Sequence, residues 1–311
     1  MDDASKGTKM IHAGLGVHVD RYGPLPLWVH TIDGNQNGRT AIQEHLALFA
    51  QHLPTLKLAQ ISDRGTYSFG HLVRLEDAGC EVIVSAPWSE FRELFDEHRQ
   101  TLQWQRASYL SIEQQRRREC VSDLPQESYD LAVLKHTLTS HESDRQIPCR
   151  VLFVKSTADE QYDGFNAIVT TIPANKSSAD DIFTRFKQQI YSEQINAHFK
   201  GPIAVRPVWL KSPKRIESLM FLLTIALMLH YLIQRTYRAS LPETASVKER
   251  RITTQTLLNA FQNYTLLIDR HGLGRTVSPT RLTSRQSQIL RQLELPTPAE
   301  TLRRLLPRPP E

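Results

Sequence analysis

The sequence predicts an α/β protein built on a mixed β-sheet flanked by helices, and three observations predict it. Two strand-like runs, Met10 to Val19 and Leu25 to Ile32, are separated by the turn residues DRYGP and read as an antiparallel hairpin. From Leu56 to Ser85 the pattern runs strand, helix, strand, the order that gives neighbouring strands joined by a crossover. A further strand, Phe165 to Thr171, leads into a long amphipathic helix. With 40% hydrophobic and 23% charged residues in 311, the composition is that of a chain able to bury a core.

Each element has a local reason. After the hairpin, DGNQNGRT is turn chemistry and Thr40 caps a helix over Ala41 to Leu53. The strand Leu56 to Ser62 ends in Asp63-Arg64-Gly65; a helix from Phe69 to Asp77 stops at Gly79, and Glu81 to Ser85 is a short buried strand. From Pro87 to Asp163 the pattern loosens into an insertion. It carries a helical stretch (Glu90 to Gln105), a basic patch at Arg116 to Arg118 and strands near Tyr129 to Leu138 and Cys149 to Lys155. Ser178 or Asp180 starts the long helix and Gly201-Pro202 ends it. The prolines at 202, 207 and 213 keep the next run extended. Ser212 and Pro213 open an apolar helix through Ile233. Beyond it come a linker (Leu241 to Lys248), helices at Thr253 to Ile268 and Ser284 to Leu293, and a frayed tail, RRLLPRPPE. Four regions follow: residues 1–86 and 164–240 as two parts of one core, 87–163 as the insertion, and 241–311 as a helical basic extension.

Charge and cysteine usage narrow the function classes. Residues 1–181 carry 18 basic and 25 acidic groups, a net −7, whereas residues 182–311 carry 20 basic and 8 acidic, a net +12. A basic half is an electrostatic footprint for a polyanion, most often nucleic acid. Cys80, Cys120 and Cys149 are odd in number, widely spaced and without a CxxC pair, so neither a disulfide framework nor a zinc site is indicated. The N-terminus, MDDASKGTKM, lacks the order of a signal peptide. The apolar run Leu219 to Ile233 has fifteen residues where a bilayer span needs about 20. A cytoplasmic protein with no membrane partner and a buried apolar helix is expected.

The chemistry centres on Phe186 to Lys200, FKQQIYSEQINAHFK. At 3.6 residues per turn, Ile182, Phe183, Phe186, Ile190 and Ala197 form one apolar stripe, and Glu193 and Lys200 fall inside it. A buried, unpaired carboxylate costs several kcal/mol and is expected to be protonated, paired or bound to a cation. The alternative is a splayed helix end with both groups solvated. Asp63 ends a helix-linked strand, the place where open α/β sheets gather ligands; the plainer role for it is to cap the following helix. Two carboxylates at one sheet rim can converge on Mg²⁺, which takes one or two carboxylates plus waters and phosphate oxygens.

The spacing from Phe186 to Gln189 to Glu193 to Lys200 resembles the Y-x2-R-x3-E-x6-K signature of bacterial insertion-sequence transposases of the DDE class. ISDRGTYS, KGPIAVRPVWLKSPKRIESL and LIQRTYR are similar to that group's second-Asp and post-Glu regions. The resemblance covers roughly residues 8–240. It implies an RNase H-like core, metal-dependent phosphoryl transfer for cut-and-paste transposition, and Mg²⁺ or Mn²⁺ as cofactor. Asp63 and Glu193 would be the catalytic metal ligands. Lys200 would contact DNA phosphate, with Gln189, Arg206 and Lys211 as further DNA contacts. Double-stranded DNA, as transposon ends and target, is the implied partner and a homodimer the implied assembly. Phe186 stands where the signature has Tyr, and Gln189 where it has Arg, which removes a charge and a fork to phosphate.

In that family the first Asp lies on the central strand just before the hairpin, yet only nine residues precede Met10. Asp2 and Asp3 lie too near the start, and Asp20 sits in the hairpin turn. Asp33 would be two strands away, about 9.6 Å at 4.8 Å per spacing. The expectation is a truncated, inactive copy with a shortened insertion; the alternative is a non-catalytic DNA-binding remnant.

Overall fold

The structure, a computed structural model, describes residues 11–20, 22–33, 48, 51, 59–109, 128–140, 143–156, 165–200, 210, 212–271 and 274–305. In chain order, strands β1 (Ile11–Asp20) and β2 (Gly23–Asp33) come first. β3 (Ala59–Ser62), α1 (Phe69–Asp77) and β4 (Glu81–Ala86) follow as strand, helix, strand. Next are α2 (Trp88–His98), the short β5 (Gln105–Arg106), the long pair β6 (Tyr129–Ser140) and β7 (Ser143–Ser156), and β8 (Phe165–Thr170). Helices α3 (Ala179–Lys187), α4 (Gln189–Lys200) and α5 (Pro213–Ala239) lead to two short ones, α6 (Val247–Arg250) and α7 (Thr254–Asn259). A second hairpin, β9 (Leu266–His271) and β10 (Gly274–Pro279), precedes α8 (Ser284–Gln292) and α9 (Pro298–Leu305).

The chain forms two compact units. One comprises Met1–Gly14 and Thr31–Glu193, the other Leu15–His30 and Gln194–Glu311.

The first unit is organised by a six-stranded mixed sheet of order β3-β4-β8-β7-β6-β5. β3 and β4 are parallel and joined by α1, and every other pair is antiparallel. Strand periodicity sorts the side chains by face. Val82, Val84, Val151, Phe153, Ala167 and Val169 pack with Leu72 and Leu75 of α1 and Phe91 and Phe95 of α2. Ile83, Leu131, Leu152 and Ile168 pack with Ile182 and Phe183 of α3. Helices on both faces explain why β4 and β8 read as continuous apolar runs and not as alternating ones. The crossover from α1 to β4 turns at Gly79, whose φ of +69° is a conformation that favours glycine.

Part of the expected organisation is therefore observed and part is not. The α/β layering and mixed sheet are present. The stretch 87–163, expected as an insertion, supplies β5, β6 and β7, three strands of that same sheet. The hairpin β1–β2, expected within the sheet, pairs only with itself among the described residues. Of the expected helix at 41–53, Leu48 and Gln51 are described, both as helix, and the rest lies outside the described residues, as does the extended run at 201–209.

In the second unit, Ile195, Met220, Leu227 and Tyr231 form a buried cluster with half-buried Val17, Leu25 and Val29 of the first hairpin. Tyr237, Leu257 and Ile289 form another. Three expectations are corrected in this unit. The helix expected over 253–268 ends at Asn259, and Leu266–His271 is a strand. Its apolar residues are consecutive instead of helically spaced. The first residues of the tail expected to fray, Arg303–Leu305, are the end of a helix opened by Thr297, which accepts from the Glu300 amide at 3.3 Å, while residues 306–311 lie outside the described residues. The helix expected to be buried, α5, is longer than its apolar run and buries one stripe only. Phe221, Leu222 and Leu229 on its other side are 60%, 62% and 56% exposed. Among the described residues α5 is the helix long and apolar enough to cross a bilayer by length and composition. Its buried stripe includes Thr224, Tyr231 and Gln234, which pack inside the folded unit.

Candidate functional site

Asp63 is carried at the carboxyl end of β3, one residue beyond the register pair Ser62 and Val84. It caps a single 3-10 turn, Arg64–Thr66, with its Oδ1 accepting the Gly65 amide at 3.1 Å. The Thr66 hydroxyl donates to the Asp63 carbonyl at 3.0 Å. Space at Gly65 is tight: a Cβ there would lie 3.3 Å from Asp63 Oδ1, so the carboxylate would have to shift by a few tenths of an ångström. The carboxylate is exposed and Oδ2 takes no hydrogen bond among the described residues. Asp63 thus fills the capping role and still presents one free oxygen at the strand end.

The helix that follows β8 is fixed at its start by several bonds. Ser178 accepts from the Asp181 amide at 3.1 Å while Asp181 accepts from the Ser178 amide at 3.2 Å, a reciprocal cap. Hydrogen bonds from the Ser178 hydroxyl and amide hold the Asp181 carboxyl below its usual range. Asp180 accepts from the Ser108 amide at 2.8 Å. Arg150, buried in β7, donates Nε to the Ile172 carbonyl at 2.8 Å and Nη2 to the Ser177 carbonyl at 3.0 Å, so the turn before α3 is held from beneath. Near the far end of α3, Lys187 lies 4.3 Å over the Tyr129 ring and donates to the Tyr129 hydroxyl at 3.1 Å. α3 packs on β3 and β4, the strand pair that carries Asp63.

The single long helix of the expectation is two helices. At Gln188 ψ opens to −5°, and its amide is shared among the carbonyls of Thr184, Arg185 and Phe186. α4 then begins at Gln189. No glycine or proline lies between Phe183 and Gln194, so the usual signals of a break are missing. The consequence is a change of buried face. Ile182 and Phe183 are buried, Phe186 is half-buried, Ile190 is 41% exposed and Ala197 is exposed, and Ile195 becomes the fully buried residue of α4. Glu193 is exposed and carries no hydrogen bond or ion pair among the described residues. The expectation of a carboxylate on a buried stripe is corrected: Glu193 is solvated, the helix being interrupted at Gln188 before it is reached.

Asp63 and Glu193 both belong to the first unit, while Lys200 belongs to the second. Gln189 is half-buried at the start of α4. The side chain of Lys200, and Arg206 and Lys211 altogether, lie outside the described residues. Of the other aspartates weighed, Asp20 is engaged: Arg235 donates to both its oxygens, at 2.7 and 2.6 Å, and the Tyr22 amide donates at 2.9 Å. Burial opposes the charge, but these bonds, the Arg235 charge and nearby His18 hold its carboxyl below the usual range. The Asp33 side chain and Asp2 and Asp3 lie outside the described residues.

Two arginines of the basic LIQRTYR segment therefore have structural partners that sequence reasoning missed. Arg235 binds Asp20 and the Gly23 carbonyl, and Arg238 donates to the carbonyls of Tyr22 at 3.0 Å and Ile252 at 3.2 Å. Gly23 has φ +114°, and a Cβ there would meet Arg238 Nη1 at 3.0 Å. The available signal was an aspartate beside a glycine in a hairpin turn, ready to receive a guanidinium. Nearby, Tyr231 Oη lies 2.8 Å from His198 Nδ1 and the His198 and His230 rings are 5.6 Å apart. Burial pushes the Tyr231 hydroxyl up to about 12, and burial followed by the His198 charge lowers His230.

No group of three or more His, Cys, Asp and Glu able to hold a metal occurs among the described residues. The chain matches no protein-family model and no curated protein sequence.

Proposed function

We propose that this chain is a DDE-type transposase in architecture and chemistry, with an RNase H-like core, acting on double-stranded DNA in the cytoplasm. The observation that carries the reading is the pairing of a spacing with a position. An exposed aspartate ends a parallel, helix-linked strand, and the helix packed on that strand, α3, is followed directly by α4, which bears Glu193 and Lys200. Supporting it are Asp63 Oδ2 and the Glu193 carboxylate, neither of which takes a hydrogen bond or ion pair among the described residues, and the +12 charge of residues 182–311.

The donor set suits a hard cation that needs one or two carboxylates and otherwise keeps water. Asp63 and Glu193 would hold Mg²⁺ or Mn²⁺, which when bound activates a water or 3′ hydroxyl and stabilises the leaving oxygen. The protein's own part is positioning. The Gly65 amide fixes one oxygen of Asp63 at the end of β3. Arg150 and the Ser178 cap fix the start of α3, from which Glu193 is approached. Lys200, seven residues after Glu193, would meet the DNA backbone and not the metal.

A second reading, a DNA-binding protein without strand-transfer activity, is favoured by one observation: among the described residues no third carboxylate joins a metal-holding group. Nicking of supercoiled plasmid in Mg²⁺ or Mn²⁺ separates the two. Nicking that Glu193→Gln abolishes supports the enzyme. Absence of nicking in both metals, with duplex binding that weakens steeply as salt rises, rejects it in favour of the second reading.

A further inference from the structure

Helix α5 has two apolar seams, and the unit that contains it uses one. Met220, Thr224, Leu227, Tyr231 and Gln234 are buried at alternating spacings of four and three residues, and Met220, Leu227 and Tyr231 cluster with Ile195 and half-buried Val17, Leu25 and Val29. On the opposite side, Leu222, Ile225, Leu229 and Leu232 alternate at three and four, and they are 62%, 38%, 56% and 48% exposed. That period of 3.5 residues is the seam by which one helix packs along another. Phe221, 60% exposed, widens it. Apolar residues scattered singly over a surface need no explanation, whereas a continuous apolar face marks a contact.

We propose that this face is the interface of an antiparallel homodimer, in which α5 packs on α5 of a second copy about a two-fold axis near Leu227. The interface rests on the exposed seam and not on the transposase reading, and it stands whether or not the chain acts on DNA. Area, charge and orientation commit the face to a second copy. At about 200 Å² for a large side chain, the five exposed residues offer roughly 500 Å² per copy, so a pair buries about 1,000 Å², the size at which a specific interface holds. No lysine or arginine lies between Arg215 and Arg235, so the face has neither the basic flank of a membrane-surface helix nor a counter-charge for a polyanion. Crossing a bilayer would take Thr224, Tyr231 and Gln234 out of the folded unit and into lipid, where such polar groups are costly. Orientation follows from Arg215, which is exposed on the same seam one heptad before Leu222. Parallel helices would set Arg215 against its own counterpart, a like-charge pair. Antiparallel helices pair Leu222 with Leu232, Ile225 with Leu229 and Arg215 with the exposed, uncharged Ala239 across the two copies. One patch then serves both copies, as a closed two-fold dimer requires.

Sedimentation of the full chain over a range of concentrations, without detergent or DNA, is expected to give twice the chain mass. Leu222→Glu with Leu229→Glu, both more than half exposed, is expected to weaken the dimer by at least about a hundredfold, since each dimer would bury four carboxylates, while circular dichroism reports the same helix content. Leu222→Cys with Leu232→Cys is expected to cross-link two copies on mild oxidation, above the background set by the three cysteines of the unsubstituted chain. Leu222→Cys alone is expected not to, because equivalent positions lie roughly 15 Å apart along an antiparallel pair. Should the glutamate variant fail to fold, the cross-linking pattern decides alone. A monomer at every concentration overturns the proposal, as does a dimer that the two glutamates leave intact. Cross-linking through Leu222→Cys alone overturns the antiparallel arrangement. Binding of a monomer to phosphatidylcholine vesicles that the same glutamates abolish assigns the face to lipid and overturns the dimer as well.

Discussion

The two units reach stability by different means. The first buries both faces of a six-stranded sheet, with Phe153, Ile83, Ile168 and Phe183 fully enclosed. The second wraps a short hairpin and small helices around α5, leaves Phe221, Leu222 and Leu229 open, and fastens its pieces with guanidinium bonds from Arg235 and Arg238. Apolar burial is non-directional and tolerant, so the first unit depends on volume. Charge-assisted bonds are directional, so the second depends on a few atoms staying in place. Basic residues in the first unit are few enough to pair with acids, as Arg145 does with Glu76 and Asp77. In the second, Arg281 and Arg285 are exposed and make no hydrogen bond or ion pair among the described residues.

Substitutions can break or sharpen this contrast. The largest effect is expected in the first unit: Phe183→Ala removes a fully buried ring beneath the sheet and should cost about 3 to 5 kcal/mol in denaturant unfolding. Arg235→Met keeps the apolar stem but strips both bonds from Asp20, and should cost about 2 kcal/mol, reduced from a fully buried pair because Asp20 retains solvent contact. Equal losses from the two changes would contradict the distinction. Ser178→Ala, which removes the cap of α3, should cost about 1 kcal/mol. A smaller, pH-dependent effect belongs to the second unit. His230 is lowered in the fold, so its contribution is present above the ordinary value of 6.5 and is lost as pH falls through the lowered one. Stability measured between pH 7.5 and 5 should decline, and His230→Asn should flatten that decline.

The contrast also explains what was legible in the sequence. The boundaries of α1 and α8 could be read because Ser68 and Thr283 cap them and apolar residues recur at helical spacing. β4 and β8 could be read because strands buried on both faces are continuously apolar. The break at Gln188 could not, since it arises from Phe183 and Ile195 packing into different clusters and not from a glycine or proline. For the same reason helical spacing put Glu193 on a buried stripe, although beyond the break it is exposed. Asp63 was placed correctly at a strand end, because the strand, the turn and the following helix are all local in sequence. The Arg235–Asp20 bond spans more than two hundred residues, and no periodicity reports a contact at that range.

The central claim is that Asp63 and Glu193 hold one divalent ion. Loading the protein with Fe²⁺ in place of Mg²⁺ and adding ascorbate and peroxide generates radicals that cut the backbone beside the bound metal. The account predicts two cuts, near residues 63 and 193, both suppressed by excess Mg²⁺ and both lost in Glu193→Gln, whose folding should be unaffected because the side chain is exposed. Cutting at one of these positions that persists in Glu193→Gln, or no cutting at either, would contradict it.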